Sequence, residues 1–285
     1  MPNDIQIVEC PRDAMQGIHA PIPTQLKADY INQLLQVGFH TIDFGSFVSP
    51  KAVPQMADTL EVLAALDLSQ SKSKLSAVVA NLRGAREACK QPEIHYLGYP
   101  FSISETFQQR NTRKSISASM ELVSQVQELC QQHQKELLIY ISMAFGNPYG
   151  DEWQVEIAED WVGKMVELGI GTIAMADTIG VATPENTQKL FASLIAHFPH
   201  TTFGAHFHSH PTSRREKLLA AYDGGCRRFD VALHGFGGCP FAKDELVGNI
   251  ATESLLSFCK EKNLELSIDR EALARASQLA LRVFG

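Results

Sequence analysis

Residues 202–208 read Thr-Phe-Gly-Ala-His-Phe-His, and this stretch carries the clearest signal of the fold. It is apolar enough for a buried strand, and side chains alternate between the two faces of a strand with a period of two. His206 and His208 therefore project to one face, while Phe207 packs on the other. Two imidazoles at a strand end can bind one divalent metal ion, although one core histidine beside one exposed histidine gives the same pattern.

Seven further β-rich apolar runs occur along the chain, separated by segments of helical period. This alternation is typical of repeated βα units around a parallel sheet. The eight predicted strands are Ile5 to Cys10, Thr41 to Ser46, Leu75 to Ala80, Ile94 to Gly98, Leu137 to Ser142, Thr172 to Ala176, Phe203 to His208 and Phe229 to Leu233. Eight units predict an α/β fold of the (β/α)8 TIM-barrel type, and the alternation by itself also allows an open doubly wound sheet.

The positions of the polar residues favour the closed barrel. In a barrel, reactive side chains gather just beyond the carboxyl ends of the strands. Here polar residues follow nearly every predicted strand, among them Arg12 and Asp13 after the first, Asn81 after the third and Asn147 after the fifth. Because no linker or shift in composition marks a boundary, we expect residues 1–285 to form a single TIM-barrel domain.

Threonines mark two of the helix starts between these strands. Thr24 and Thr183 each offer a capping hydroxyl, and Pro184 follows Thr183 at the first helical position. We expect the last helix to run from Glu271 to Val283.

Composition and charge exclude several classes of protein. Hydrophobic residues make up 45% of the chain and charged residues 20%, which is an ordinary globular balance. The net charge of −7 argues against a nucleic-acid or anionic-membrane surface, since both need a positive field. The start of the sequence has no basic segment followed by an apolar stretch, so we expect a soluble cytoplasmic protein. Six scattered cysteines indicate buried thiols rather than a disulfide scaffold.

The histidine pair needs oxygen ligands from neighbouring strands to complete a metal site, and Asp13 is the first candidate. Two imidazoles and a carboxylate suit octahedral Mg²⁺ or Mn²⁺ better than the thiolate-rich set of structural zinc. A lone aspartate after a strand can equally be a turn or capping residue. Arg12 beside it favours the catalytic interpretation, because a guanidinium can stabilise an enolate oxygen that gains charge in a transition state.

A glycine-rich loop, Gly235-Phe236-Gly237-Gly238-Cys239-Pro240, follows the last predicted strand. Its glycines allow movement or a close approach of backbone to a ligand, which would let Cys239 act at the mouth of the barrel. A flexible loop can also carry an incidental cysteine. Asn249 is ambiguous too, since asparagine is common at helix starts.

Five motifs, in this order, resemble those of the 3-hydroxy-3-methylglutaryl-CoA lyases, which belong to the metal-dependent TIM-barrel lyases together with isopropylmalate and homocitrate synthases. The resemblance covers essentially the whole chain. The motifs are Pro11-Arg12-Asp13 with Gln16, Ser46-Phe47-Val48-Ser49-Pro50, Asp177-Thr178-Ile179-Gly180-Val181, His206-Phe207-His208, and Gly237-Gly238-Cys239-Pro240 with Asn249.

The resemblance implies a retro-Claisen lyase that converts its acyl-CoA substrate to acetyl-CoA and acetoacetate with Mg²⁺ or Mn²⁺. It implies that the metal is bound by Asp13, His206, His208 and Asn249. Arg12 would stabilise the enolate, Cys239 would protonate the carbanion, and the base would be Asp43, His206 or Asp13. The residues implied to contact the substrate or support the metal are Arg12, Gln16, Ser46, Glu105, Asn111, Asp177 and Thr178.

Several positions depart from the pattern of these lyases. Asp43 stands where they commonly have a glutamate, Ala174 where they have a serine near the substrate carboxylate, and His19 where they have a lysine near the CoA end. The implied metal ligands, Arg12 and Cys239 are all present. The reaction type is therefore better determined than the identity of the acyl group.

Three other functions stay open at this point. A Claisen-condensing synthase of the same superfamily would run the bond chemistry forwards, although such synthases usually have further C-terminal regions that we do not expect here. A catalytically idle barrel could bind acyl-CoA as a sensor, and a metal-dependent hydrolase could use the two histidines. In each acyl-CoA case the partner is a small molecule, with no nucleic acid or membrane, and the resemblance implies a homodimer.

Overall fold

The computed structural model describes residues 4–238 and 247–285, and its centre is a closed barrel of eight parallel strands. Each strand pairs with the next along the chain, and the eighth pairs with the first. The strands are β1 (Gln6–Glu9), β2 (Thr41–Ser46), β3 (Lys74–Val78), β4 (Ile94–Ser102), β5 (Glu136–Ser142), β6 (Thr172–Asp177), β7 (Thr202–Ser209) and β8 (Arg228–Val231). The predicted (β/α)8 TIM barrel is confirmed.

Helices surround the barrel. They are α1 (Pro11–Gln16), α2 (Thr24–Leu35), α3 (Thr59–Ala64), α4 (Leu82–Cys89), α5 (Glu105–Thr112), α6 (Ile116–Gln132), α7 (Val155–Glu167), α8 (Pro184–His197), α9 (Arg214–Asp223), α10 (Thr252–Glu261) and α11 (Arg270–Phe284). Short 3-10 helices lie at Pro54–Met56 and Leu233–Gly235. Within the described ranges, none of the helices has the length and apolar character needed to cross a membrane.

The observed strand β4 is longer than the predicted one, which ended at Gly98. The strand continues through Pro100 to Ser102 and keeps its pairing with β5. A proline in a central strand removes a ladder hydrogen bond. Here the carbonyl of Gly98 accepts from Val79 on the β3 side, so the missing N–H of Pro100 also faces that side, where β3 has already ended at Val78.

The two predicted helix starts have different outcomes. The Thr183 hydroxyl accepts from the backbone of Asn186, whose side chain accepts from the Thr183 backbone, which completes a capping box before Pro184. The prediction for Thr24 as a cap is wrong. Pro23 holds the cap position, and the Thr24 hydroxyl donates to Asp58 at 2.7 Å instead.

Alternation along the strands separates an apolar exterior from a polar interior. Phe203 and Phe207 of β7 belong to the main core between the strands and the helices, and His206 lies on the opposite face. A smaller buried cluster of Tyr96, Leu138, Tyr140 and Ala174 fills part of the barrel interior. Functional side chains at the carboxyl ends of the strands therefore share one enclosed space.

Glu9 is a buried carboxyl group on the outer face of β1. Its two oxygens accept hydrogen bonds from the Leu233 backbone at 2.7 Å and the Thr252 hydroxyl at 2.6 Å, so it ties β1 to the end of β8 and the start of α10. Burial raises the pKa of Glu9 to about 8, against the lowering effect of these two donors.

This environment predicts a pH-dependent contribution to stability. When the pKa of a carboxyl group is higher in the folded than in the unfolded protein, the free energy of unfolding falls as the pH rises from the unfolded-state pKa to the folded-state pKa. We expect the free energy of unfolding of the natural protein, relative to Glu9→Gln, to fall by as much as about 5 kcal/mol between pH 4.5 and pH 9. Urea unfolding at several pH values measures the difference, and a pH-independent difference would contradict the assignment.

Candidate active site

The two histidines of β7 both lie in the interior at the carboxyl end of the barrel. Nδ1 of His206 lies 3.1 Å from Oδ2 of Asp230, and Nδ1 of His208 donates to the carbonyl of Thr178 at 2.8 Å. These contacts orient both rings and leave both Nε2 atoms for another partner. Nε2 of His208 is buried and has no hydrogen-bond partner among the described residues. Metal-binding histidines have the same arrangement, because one ring nitrogen binds the metal and the other donates its N–H to an oxygen.

Asp13 completes a possible metal-binding group with the two histidines. It lies on α1, which begins immediately after β1 with Pro11 at its start. One ligand atom from each of Asp13, His206 and His208 lies within 4.8 Å of the others. Oδ2 of Asp13 is 3.9 Å from Nε2 of His208, which is too long for a hydrogen bond. One carboxylate and two imidazoles can hold Mg²⁺ or Mn²⁺ at one side and leave positions open for substrate.

A second group of possible ligands shares His206 with the first and consists of Cys10, His206 and Asp230. Burial raises the pKa of the Cys10 thiol well above its ordinary value, and the carboxylates of Asp230, Asp43 and Asp13 add to the effect. A protonated thiol is a poor metal ligand. The oxygen and imidazole group around Asp13 therefore fits a hard divalent cation better.

Arg12 is the buried cation of the site. Its Nε and Nη2 donate to Oδ2 of Asp43 at 3.0 and 2.5 Å. Its Nη1 donates to Asp13 at 3.1 Å and to Gln16 at 3.0 Å. A guanidinium has five N–H groups, so one hydrogen of Nη2 has no acceptor among the described residues and can meet a developing oxyanion.

The buried charges shift one another's pKa values. Burial alone would raise the pKa of Asp13, but Arg12 and the two imidazoles outweigh it and hold that pKa well below its ordinary value. Burial raises the pKa of Asp43 despite Arg12, and the charges of Asp13 and Asp230 add to the rise. Asp13 is thus a carboxylate suited to a metal, and Asp43 is the more basic of the two.

Asn249 reaches this cluster from a ninth strand that the sequence did not reveal. β9 (Gly248–Asn249) pairs antiparallel with β7 and sets Asn249 opposite His208. Its Nδ2 donates to Oδ2 of Asp13 at 2.8 Å and to the carbonyl of Phe236 at 2.9 Å. Binding a metal through Oδ1 would require the amide to turn away from these two acceptors. Its role as a ligand stays a prediction.

Gly237 lies where the loop after β8 passes close to α1. Its φ is +85°, and a Cβ at this position would lie 2.6 Å from Cα of Ala14 and 2.9 Å from Nδ2 of Asn249. A side chain here would push the loop away from α1 and from the candidate ligands. Cys239, the predicted proton donor, lies outside the described residues.

The other predicted site residues differ in whether they join this cluster. Gln16 joins the cluster, since its Nε2 donates to Asp13 at 2.9 Å. Near the strand ends, the Thr178 hydroxyl accepts a hydrogen bond from the backbone N–H of Met143, and the Ser46 hydroxyl accepts one from the backbone N–H of Val48. Glu105 and Asn111 are exposed on α5 and make no hydrogen bond to the described part of the cluster.

Asp177 is held by contacts within the protein, and its role in substrate binding stays a prediction. Its Oδ2 forms a buried ion pair with Lys217 at 2.6 Å, and its Oδ1 accepts from the backbone of Val181 at 2.8 Å. Lys217 also donates to the carbonyl of Gly180. The pair therefore holds the loop after β6, whose Thr178 carbonyl orients His208.

Sequence reasoning missed three residues of this site. Asp230 orients His206, Lys217 pairs with Asp177, and the ring of Tyr140 packs edge-on against His206 at 5.3 Å between centroids. Asp230 and Tyr140 had a readable signal, because each is a polar residue inside a predicted apolar strand. Lys217 had none, since it lies on a helix among exposed charges.

A closed parallel barrel with a buried arginine and a carboxylate–imidazole group at the carboxyl ends of its strands is a TIM-barrel enzyme with a candidate divalent-metal site. The sequence matches the HMGL-like family over residues 4–280. The chain belongs to the HMGL-like family.

Relatives and solved structures agree with this membership. The chain is 33% identical, over 100% of its length and 94% of the relative, to a Pseudomonas aeruginosa protein named 3-hydroxy-3-isohexenylglutaryl-CoA/hydroxy-methylglutaryl-CoA lyase. It is 31% identical, over 97% of its length and 80% of the relative, to the rat protein (Rattus norvegicus) named 3-hydroxy-3-methylglutaryl-CoA lyase, cytoplasmic. It is also similar to the structure of an HMG-CoA lyase from Acinetobacter baumannii in complex with coenzyme A and 3-methylmalate, with a TM-score of 0.90, 32% identity and coverage of 99% and 92%.

The contact between Asp230 and His206 predicts an effect on metal affinity. Removing the carboxylate charge should lower affinity about 10- to 100-fold, because the ring loses its orientation and basicity. Isothermal titration with Mn²⁺ measures the change in Asp230→Asn. Asp160→Asn, an exposed carboxylate on α7, is the matched control and should leave affinity unchanged. Equal affinities for both variants would remove Asp230 from the site.

Proposed function

We propose that this protein is a divalent-metal-dependent 3-hydroxy-3-methylglutaryl-CoA lyase, which cleaves its substrate to acetyl-CoA and acetoacetate. The observation that carries the proposal is the position of Arg12. It bridges Asp43 and Asp13 next to the two histidines, and one of its N–H groups, which has no acceptor in the described ranges, is available to a developing enolate. The relatives named above support the substrate class.

The proposed metal ligands are Asp13, His206 and His208, with Asn249 as a fourth after rotation of its amide. A bound Mg²⁺ or Mn²⁺ would polarise the substrate oxygens and lower the pKa of the substrate hydroxyl. Nε2 of His208 supports this group, because it is buried and has no hydrogen-bond partner in the part of the chain that the structure describes, and so does the depressed pKa of Asp13.

Asp43 is the proposed base for the substrate hydroxyl. Its Oδ2 is held by Arg12, while its Oδ1 is buried with no hydrogen-bond partner among the described residues. Loss of the hydroxyl proton lets the bond between C2 and C3 break, which releases acetoacetate and leaves the enolate of acetyl-CoA. The free N–H of Arg12 stabilises that enolate oxygen, because a buried cation is worth most where charge develops.

Cys239 is the proposed donor of the proton that C2 then receives. The support is its place in the sequence, two residues after Gly237, whose backbone lies beside Ala14 of α1 and Asn249. Its thiol would give up one proton in each turnover, and the proton that the base took from the substrate hydroxyl would then reprotonate the thiolate.

Arg12 provides the test of this function. We expect metal-dependent release of acetoacetate from 3-hydroxy-3-methylglutaryl-CoA, and a loss of about 100-fold or more in kcat for Arg12→Ala. Arg12→Lys keeps the charge but loses the two-pronged contact with Asp43, so its activity should be intermediate or lower. Arg83→Ala, at an exposed position on α4, is the matched control.

Each alternative predicts a different result in the same assay. A synthase would form a citrate-like product from acetyl-CoA and a 2-oxo acid without lyase turnover. An idle barrel would bind acyl-CoA in a titration and release nothing, and a hydrolase would release free CoA. Turnover that survives Arg12→Ala would contradict the proposed mechanism.

A further inference from the structure

The amino ends of the barrel strands, opposite the candidate active site, border a large cavity. It has a volume of about 1370 Å³ and lies between the strand starts and the segment that joins α10 to α11. His40 and Lys74 contribute to its wall from the starts of β2 and β3, and Lys260 and Arg270 from the two helices. None of the described residues with a proposed part in the lyase reaction lines it.

The wall of this cavity is positively charged. Its basic side chains are His40, Lys72, Lys74, Lys260 and Arg270, and its carboxylates are Asp4 and Glu265. Lys74 lies 3.6 Å from Glu136 at the rim. Lys72, Lys260 and Arg270 form no ion pair with any residue in 4–238 or 247–285. The wall therefore carries an excess of positive charge, because Lys72, Lys74, Lys260 and Arg270 outnumber the carboxylates of Asp4, Glu265 and Glu136.

A further cation lies inside the barrel at the same end. Arg228, the first residue of β8, is 1% exposed, and none of its three guanidinium nitrogens has a hydrogen-bond partner in the described part of the chain. Its stem fills the space beside Gly204, where a Cβ would lie 3.2 Å from its Cδ. Its Cζ is 5.5 Å from the centre of the Tyr96 ring, and Nζ of Lys74 is 5.0 Å from the same centre.

This placement costs free energy that a nearby anion would recover. A buried guanidinium is normally paired with a carboxylate, because an unpaired buried charge is strongly unfavourable. Arg228 and a second cation, Lys74, both lie near the ring of Tyr96. Burial, together with the charges of Arg228 and Lys74, also lowers the pKa of His40 to about 4, so its imidazole is neutral at pH 7 in a positive field.

We propose that this cavity binds a multivalent oxyanion, held by Lys74, Lys260 and Arg270 and attracted by the buried charge of Arg228. Phosphate-bearing and polycarboxylate ligands share this chemistry, since lysine recognises either as a point charge. The ligand would stabilise the fold without competing with acyl-CoA, because the two sites lie at opposite ends of the barrel. The site is independent of the lyase assignment.

Thermal unfolding of the full chain tests the site. Pyrophosphate and citrate are added at about 10 mM with free Mg²⁺ held constant, and NaCl at equal ionic strength is the reference. We expect at least one of the two anions to raise Tm by about 3 °C or more over NaCl. A larger shift with pyrophosphate assigns a phosphate ligand, and a larger shift with citrate assigns a polycarboxylate. Shifts equal to that of NaCl would overturn the proposal.

Variants connect the shift to this cavity. The double change Lys260→Gln and Arg270→Gln is at exposed positions and should fold normally, abolish the anion-dependent shift and leave lyase activity unchanged. Lys189→Gln, an exposed lysine on α8, is the matched control and should keep the full shift. A shift that persists in the double variant would place the anion elsewhere and overturn the assignment.

Two further measurements separate binding at this site from general stabilisation. In the NMR titration of the natural protein, bound anion should raise the pKa of His40, because it offsets the field of Arg228 and Lys74. Arg228→Met should raise Tm in the absence of anion, since it removes an unpaired buried charge, and should reduce the anion-dependent shift. An unchanged His40 titration at saturating anion would contradict binding in this cavity.

Discussion

The guanidinium of Arg12 is the interaction on which the mouth of the barrel depends. Three buried carboxylates, Asp13, Asp43 and Asp230, face the same interior, and the charges of Asp13 and Asp230 add to the rise in the pKa of Asp43. Arg12 bonds two of them and leaves the third to His206. Each of these contacts also orients a side chain that takes part in the proposed chemistry. The same bonds therefore compensate the buried charges and orient the site.

The interior of the barrel is electrically asymmetric along its axis. The carboxyl end gathers acidic groups around Arg12, a composition that suits a divalent cation. The amino end gathers Arg228, Lys74 and the neighbouring basic wall, a composition that suits an anion. Both ends face the same low-dielectric centre, where unpaired charges interact strongly. One closed sheet can therefore support a metal-dependent reaction at one end and an anion site at the other.

Barrel closure sets the precision of the active site. Asp13 and Asn249 are 236 residues apart in sequence, yet their side chains share a 2.8 Å hydrogen bond. That contact needs the pairing of β8 with β1, the short strand β9 on β7, and a glycine at position 237 to let the loop pass α1.

The sequence by itself determined the eight βα units, the shared face of His206 and His208, and the candidacy of Arg12, Asp13 and Asn249, because strand period and residue chemistry are local properties. It did not determine that Asp230 holds His206, that Lys217 pairs with Asp177, or that β4 passes through Pro100. It also gave no sign that Arg228 would be buried near Tyr96 with no hydrogen-bond partner among the described residues. Those outcomes depend on which strands become neighbours and on how deep each side chain lies, and only closure of the barrel decides both.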